Sequence, residues 1–272
     1  MSTLSEMSRH RELFLNLTLR ELRGKYKRSA LGWGWSLVNP LMQMLIFSLV
    51  FGFFLKIDPP VGDPSGLHMF AFFLMCGLLP WNFLANGLTG GMGSLIAGSN
   101  LIKKVWFPRQ ILVAATVTSF LVSFAIEMGV LAIAFLIVGN MVLPWVVPVI
   151  AIGLIQALFV LGLALALSVW NVYFRDLEYL VGIALQFWFY ASPIVYPLSQ
   201  VEDALADRPA ILLDLYKLNP MTQFAEIYRD LLYDLRAPSL GAVAYVIGCA
   251  LVSFAIGWTA FRRLSGRLAE EL

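Results

Sequence analysis

The residues that could do chemistry are few, and their spacing excludes most of it. The two histidines, His10 and His68, stand far apart, and neither lies in pattern beside a candidate serine or cysteine nucleophile. Cys76 and Cys249 sit singly in apolar runs, which supports neither a disulfide framework nor a metal site. No catalytic residue and no metal ligand set is therefore expected. Gly24-Lys25 is followed by Tyr26, so no phosphate-binding G-x-x-x-x-G-K-[ST] loop exists there. Gly87, Gly90, Gly91, Gly93 and Gly98 do not follow a strand, so they read as close helix packing or a flexible span end rather than a dinucleotide loop. Glu127 is the one acid well inside an apolar stretch. It has two readings, a proton-coupling carboxylate or an acid held protonated or hydrogen-bonded between helices, and the second is preferred because proton relays use several such groups. If the protein works against a gradient, the energy comes from elsewhere.

What remains for binding is aromatic. Trp81, and then the run Phe187, Trp188, Phe189, Tyr190 with Tyr196, could stack on the C–H faces of sugar rings. Interfacial belts explain most aromatics in a membrane protein. Four consecutive rings, however, point in every helical direction, so at least one should face the interior. Trp81, Phe187, Trp188, Tyr190 and Tyr196 are accordingly the candidate lining of a substrate channel.

These residues need elements to hold them, and composition says which. Of 272 residues, 60% are hydrophobic and 13% charged, against roughly 45–50% and 25% in soluble domains. Lipid is the implied solvent. About 20 apolar residues span the hydrocarbon as a helix, and six stretches qualify: Ser36–Leu55, Leu67–Leu88, Gln110–Val138, Pro144–Trp170, Leu177–Tyr196 and Ser239–Phe261. Basic residues cluster on one side: Arg9, Arg11, Arg20, Arg23, Lys25, Lys27 and Arg28 before the first span, Lys103, Lys104 and Arg109 after the second, Arg175 after the fourth, and Arg262, Arg263 and Arg267 at the end. The other side holds only Lys56, Arg208, Lys217, Arg229 and Arg236. The asymmetry predicts six spans with both termini cytoplasmic. No cleavable signal peptide is expected from the basic first 35 residues, which lack a continuous apolar core.

Two segments break the pattern. In the N-terminal 35 residues, Leu15, Leu19, Leu22 and Tyr26 follow helical spacing amid basic residues, as in an amphipathic interfacial helix, although Leu13 and Leu17 fall on the other side. A basic anchor and a partner-docking helix both fit. Between Pro197 and Pro238, Asn219-Pro220 reads as an N-cap followed by proline in the first turn. Phe224, Ile227, Tyr228, Leu231 and Leu235 then form one apolar face, after a short apolar piece Ala210–Leu218. Two half-helices dipping back into the membrane, or an amphipathic helix on its outer surface, both fit. Pro193 should break or kink the fifth stretch near its outer end, leaving a carbonyl for the returning segment or for water.

Four stretches together resemble the membrane subunits of ABC-2-type exporters of O-antigen, galactan, teichoic acid or capsule-like polymers. They are Tyr26-Lys27-Arg28-Ser29-Ala30-Leu31-Gly32-Trp33-Gly34-Trp35 leading into Asn39-Pro40-Leu41; Leu101-Ile102-Lys103-Lys104-Val105-Trp106-Phe107-Pro108-Arg109; Tyr173-Phe174-Arg175-Asp176-Leu177 with Ser192-Pro193-Ile194-Val195-Tyr196; and Leu218-Asn219-Pro220-Met221 with Arg229. They occur in the family's order across nearly the whole chain; only Trp33-Gly34-Trp35 is richer in aromatics and glycine than that family's pattern.

The resemblance implies an all-α integral membrane protein forming one transmembrane domain over residues 1–272. Residues 1–35 would be interfacial, 36–261 would hold six spans, 262–272 would be a cytoplasmic tail, and re-entrant helices would occupy the last external loop. It implies a homodimer in the bacterial cytoplasmic (inner) membrane, bound to two copies of an ABC ATPase that carries the ATP and magnesium; this chain binds no cofactor and no nucleic acid. Leu101, Ile102, Lys103, Lys104, Trp106, Phe107, Pro108 and Arg109 would couple to that ATPase. Asn219, Pro220 and Arg229 would lie near the channel exit. The substrate would be a glycan on a polyprenyl-pyrophosphate carrier. The alternatives are an ABC-2 exporter of drugs or lipids and a proton-driven carrier, although no internal repeat supports the latter.

Overall fold

The computed structural model describes residues 11–25, 34–55, 59–105 and 107–267. Tyr26–Trp33 of the first motif, Trp106, Lys56, and Arg9 and His10 fall outside that set. Among the described residues the chain is helical throughout, with no strand.

Helix α1 (Arg11–Lys25) precedes α2 (Trp35–Phe47), which continues as a π-helix over Ser48–Phe54. Then come α3 (Phe70–Ala97), the short α4 (Ser99–Lys104), α5 (Gln110–Ile137), α6 (Val146–Tyr173) and α7 (Leu177–Tyr190). Beyond α7 lie α8 (Leu198–Leu205), α9 (Ala210–Lys217), α10 (Pro220–Arg229) with a π-turn Asp230–Asp234, and α11 (Leu240–Leu264). Among the described residues, five helical stretches are long and apolar enough to cross a membrane: Leu37–Phe54, Phe70–Lys104, Gln110–Ile137, Leu143–Tyr173 and Leu240–Leu264.

The central helix is α3. Its spanning window is 78% buried, whereas that of α2 is 6% buried. Around α3 pack α5, α6 and α10, and α11 packs along α6. Exposed leucines, isoleucines and phenylalanines cover the outward faces of α2, α5, α6 and α11, which only a lipid solvent or another apolar surface accommodates.

Three expectations change on contact with the structure. First, α3 runs nine residues past Leu88, through the glycine cluster. A Cβ on Gly87 would meet Val160 at 3.0 Å and one on Gly91 would meet Ala164 at 2.7 Å. These glycines therefore allow close helix packing instead of ending the span. Second, α7 stops at Tyr190, not Tyr196. Residues preceding Pro193 are driven out of helical conformation, and 14 residues give a helix of about 21 Å. That is too short for a hydrocarbon layer of about 30 Å. The last third of the crossing is irregular chain, Ala191–Tyr196.

Third, the apolar stripe of α1 is displaced. Leu15 and Leu19 are 46% and 44% exposed, while Leu17, Thr18 and Leu22 are buried. Leu13 and Phe14 also pack on the core. The helix is apolar on two sides. One faces α5, and the other faces outward.

The two ends of the bundle are defined by hydrogen bonds. Arg109 at the start of α5 donates to the Ser265 carbonyl, and Tyr173 at the end of α6 donates to the Leu264 carbonyl at 3.1 Å. One end thus gathers α4, the α6–α7 turn and the C-terminal end of α11, with Lys103, Lys104, Arg175, Arg262 and Arg263. At the opposite end Asn140, just after α5, donates to Leu232 O (2.9 Å), and the Met69 N–H before α3 donates to the Tyr233 hydroxyl (3.4 Å).

Candidate functional site

The segment between α7 and α11 is inserted in the bundle. Asn219 caps α10 in extended backbone (φ −66°, ψ 117°), its side chain accepting from Met221 N–H at 3.0 Å. Pro220 follows in the first turn, where a missing N–H costs nothing. The apolar face read from the sequence is the buried one: Phe224, Ile227, Tyr228 and Leu231 are at most 1% exposed. Phe224 packs on Phe159, and the Tyr228 hydroxyl donates to Gln156 Oε1 at 3.0 Å. Those α6 residues lie about 15–20 Å along the helix from Val146. A helix lying on the outer surface could not reach them. α10 is packed inside the bundle, against α3 and α6.

Irregular backbone at this depth must find partners inside the protein, and α10 supplies them. Asn219 Nδ2 donates to Ala191 O (3.0 Å) and to Ser192 Oγ (2.8 Å), while Asn219 Oδ1 accepts the Trp188 indole N–H at 2.7 Å. Arg229, 3% exposed, donates from Nη2 to Ile194 O at 2.9 Å. Its other arm pairs with Glu226 at 2.7 Å, and its guanidinium lies 3.8 Å from the Phe73 ring centroid. Gly77 leaves the space, since a Cβ there would stand 3.2 Å from Arg229 Nη2. Asn219 and Arg229 therefore hold the broken end of α7 against α3.

Gln156, fully buried, donates to Pro80 O at 2.8 Å while accepting from Tyr228, so it joins α3, α6 and α10. Sequence reasoning passed over Gln156 and Asn140. The available signal was an amide inside or at the end of a long apolar run, where it needs a partner.

The aromatic candidates divide. Trp81 is buried, edge-to-face with Trp188 at 5.9 Å, and Trp188 also meets Phe159. Their faces are engaged within the protomer. Phe187 and Tyr190 are 74% and 66% exposed and share an outward stripe with Tyr179, Leu180 and Ile183. The Tyr196 hydroxyl donates to Tyr190 O (2.6 Å) beside the Tyr216 hydroxyl at 3.1 Å.

At the end of the bundle that holds Asn140, the π-turn is sewn down by charge. Arg236 pairs with Asp230 (2.6 Å) and Asp234 (3.3 Å), and Asp234 Oδ1 accepts from the Asp63 N–H. Burial raises the Asp234 carboxyl to about 6 despite the opposing pull of Arg236.

At the opposite end, the stretch from Leu101 to Arg109 is split by exposure. Leu101 and Ile102 pack on the core, and Phe107 and Pro108 are buried. Lys103, Lys104 and Val105 project outward. Arg109 ties the segment to the end of α11. Two cations and an apolar side chain are thus presented on a short helix that leads directly into α5. Trp106 lies outside the described residues. None of the described residues forms a cluster of potential metal ligands.

A bundle of long apolar helices, five of them among the described residues long enough to cross a membrane, defines a multi-pass membrane protein. Its sequence matches the family described as ABC-2 type transporter over residues 12–233. The chain belongs to that family. It is 32% identical over 265 residues to an O-antigen export system permease protein RfbA of Myxococcus xanthus, covering 97% of this chain and 96% of the relative. An RfbA permease of Klebsiella pneumoniae is 29% identical over 96% of this chain and 95% of its own length. The capsule polysaccharide export inner-membrane protein CtrC of Neisseria meningitidis is 24% identical over 92% of this chain and 89% of its own length.

Proposed function

We propose that this chain is the membrane-spanning permease subunit of an ABC transporter that exports a polyprenyl-pyrophosphate-linked polysaccharide across the bacterial cytoplasmic membrane. The observation that carries the reading is the end-to-end match to permeases named for O-antigen export, supported by a capsule export relative. In this reading two copies of the chain form the channel, with α4 on the cytoplasmic side against two copies of an ATPase that supplies ATP and magnesium. Both termini are cytoplasmic, in line with the gathering of Lys103, Lys104, Arg175, Arg262 and Arg263 at one end of the bundle. The chain itself carries no ATP site and acts as a transport subunit, not as an enzyme.

An exporter of drugs or lipids shares the fold and would differ in cargo. Deleting the gene in its source bacterium and restoring it on a plasmid separates the two. The expected result is surface polymer lost with the deletion, lipid-linked polymer accumulating inside, and both reversed by the plasmid. Unchanged surface polymer with altered drug or lipid efflux would sink the polysaccharide reading.

A further inference from the structure

Glu127 is the one ionisable residue on α5. The helices that pack on α5 are α1, α2, α3 and α6. Of these, α2 with its π continuation, α3 and α6 carry no Asp, Glu, Lys, Arg or His. Among the described residues, the charges on the helices packed against α5 all come from α1, where Arg20, Glu21 and Lys25 line a cavity of about 340 Å³ shared with α3 and α5. An ionised acid in such a place needs a cation, since isolated buried charge is costly.

Lys25 is the cation that arrives. Its Nζ donates to Ser119 O at 3.2 Å and to Ser123 Oγ at 3.1 Å, and stands 3.6 Å from the Phe120 ring centroid. Ser119, Ser123 and Glu127 are spaced four residues apart, so they form one row along α5. The ammonium occupies the lower two steps of that row, and Glu127 is the third. A lysine on an interfacial helix would ordinarily extend its ammonium towards water; this one points into the bundle. Burial pulls it from its usual value to about 8, with Glu127 and Glu21 opposing that fall.

We propose that Lys25 and Glu127 are positioning residues, a charge pair that seats the interfacial helix α1 on α5. Because α4 runs into α5 through Arg109, the pair makes α1, α4 and α5 move as one body when the transporter is driven. The inference rests on the export reading above for its consequence in transport, and for the pairing on the seat of the Lys25 ammonium at Ser119 and Ser123, one helical turn short of Glu127.

The test uses the whole transporter, co-expressed with its ATPase, and two readouts. One is glycan export. The other is cross-linking between Gly24→Cys and Thr116→Cys in a Cys76→Ala, Cys249→Ala background, since positions 24 and 116 both line the α1–α5 cavity. Lys25→Gln and Glu127→Gln are each expected to lower both readouts about tenfold, as for a typical coupling between elements. Lys25→Glu combined with Glu127→Lys should return both to within about threefold of the parent. Single variants that behave as the parent, or a swap no better than either single change, would overturn the pairing. Size-exclusion profiles separate misfolded variants, and Lys25→Arg, which keeps the charge, must retain both readouts. If the parent exports no glycan, the functional reading fails while cross-linking still decides the pair.

Discussion

Asn219 does four things with one amide. It caps α10 through Met221 N–H, takes the Trp188 indole proton, and donates to Ala191 O and Ser192 Oγ. Alanine at 219 would leave the indole N–H and the Ala191 carbonyl without their protein partner in a half-buried part of the bundle. A fully buried orphan costs about 1–3 kcal/mol, and partial access of water lowers that, so Asn219→Ala should destabilise by roughly 1–3 kcal/mol. Trp188→Phe removes only the indole bond and keeps most of the packing against Trp81 and Phe159, so it should cost about half as much on the same scale. Thermal midpoints followed by size-exclusion in detergent check both, and equal midpoints for Asn219→Ala and the parent would contradict the network. The Asn219-Pro220 cap was legible in the sequence because a cap is local chemistry. Its other three bonds were not, because they depend on where α7 breaks and how deep α10 sits.

At the scale of elements, hydropathy read the long helices well. α5 begins at Gln110 as expected and ends at Ile137 against an expected Val138. Lipid demands a full apolar span, and the sequence must declare one. Ends set by neighbours were harder. The glycines of α3 could have stopped a helix or let α6 approach, and only Val160 and Ala164 decide between them. α1 is apolar on two sides, so spacing alone could not say which side meets α5. The short α4 belongs with these neighbour-dependent elements, since its helix form could not be read from six residues. What its sequence did show, a basic tip after an apolar anchor, is what the structure displays: Leu101 and Ile102 inward, Lys103 and Lys104 outward. Docking on an ATPase would use those charges, which sit at the surface and contribute nothing to the core. Lys103→Glu with Lys104→Glu should therefore leave insertion and the thermal midpoint unchanged, within about 0.5 kcal/mol. Co-purification with the ATPase, or stimulation of its activity, should drop about tenfold or more, because each reversal places like charges across the contact. A well-expressed double variant with normal co-purification and transport would refute the docking role.

The whole molecule leaves one question open to a decisive experiment: what the outward face of α7 meets. Tyr179, Leu180, Ile183, Phe187 and Tyr190 form a stripe that is 59–79% exposed, on a helix that touches little beyond α3 and α6. A 14-residue helix stopping short of the outer boundary, with its end held open by Asn219 and Arg229, is poorly suited to face lipid alone. If two copies of the chain enclose a water-filled path, as proposed above, this face would line it. In that position Phe187 and Tyr190, the latter edge-to-face with Phe189, would offer exposed rings to passing sugars, whereas Trp188 and Trp81 are already committed to each other and Trp188 to Asn219. Leucine replaces apolar bulk without the flat face, so it separates the two roles. Phe187→Leu and Tyr190→Leu, alone and together, should keep the thermal midpoint and basal ATPase activity of the assembled transporter. Export should fall by about fivefold or more in the double variant, taking each lost stacking contact as at least about 0.5 kcal/mol. Trp188→Leu should do the opposite, lowering the midpoint by losing its bond to Asn219 before any effect on sugar contact can be read. If the double variant exports at the parental rate, the α7 stripe is a packing surface and the sugar path runs along another wall; if its dimer dissociates, the stripe is the seam between the two copies.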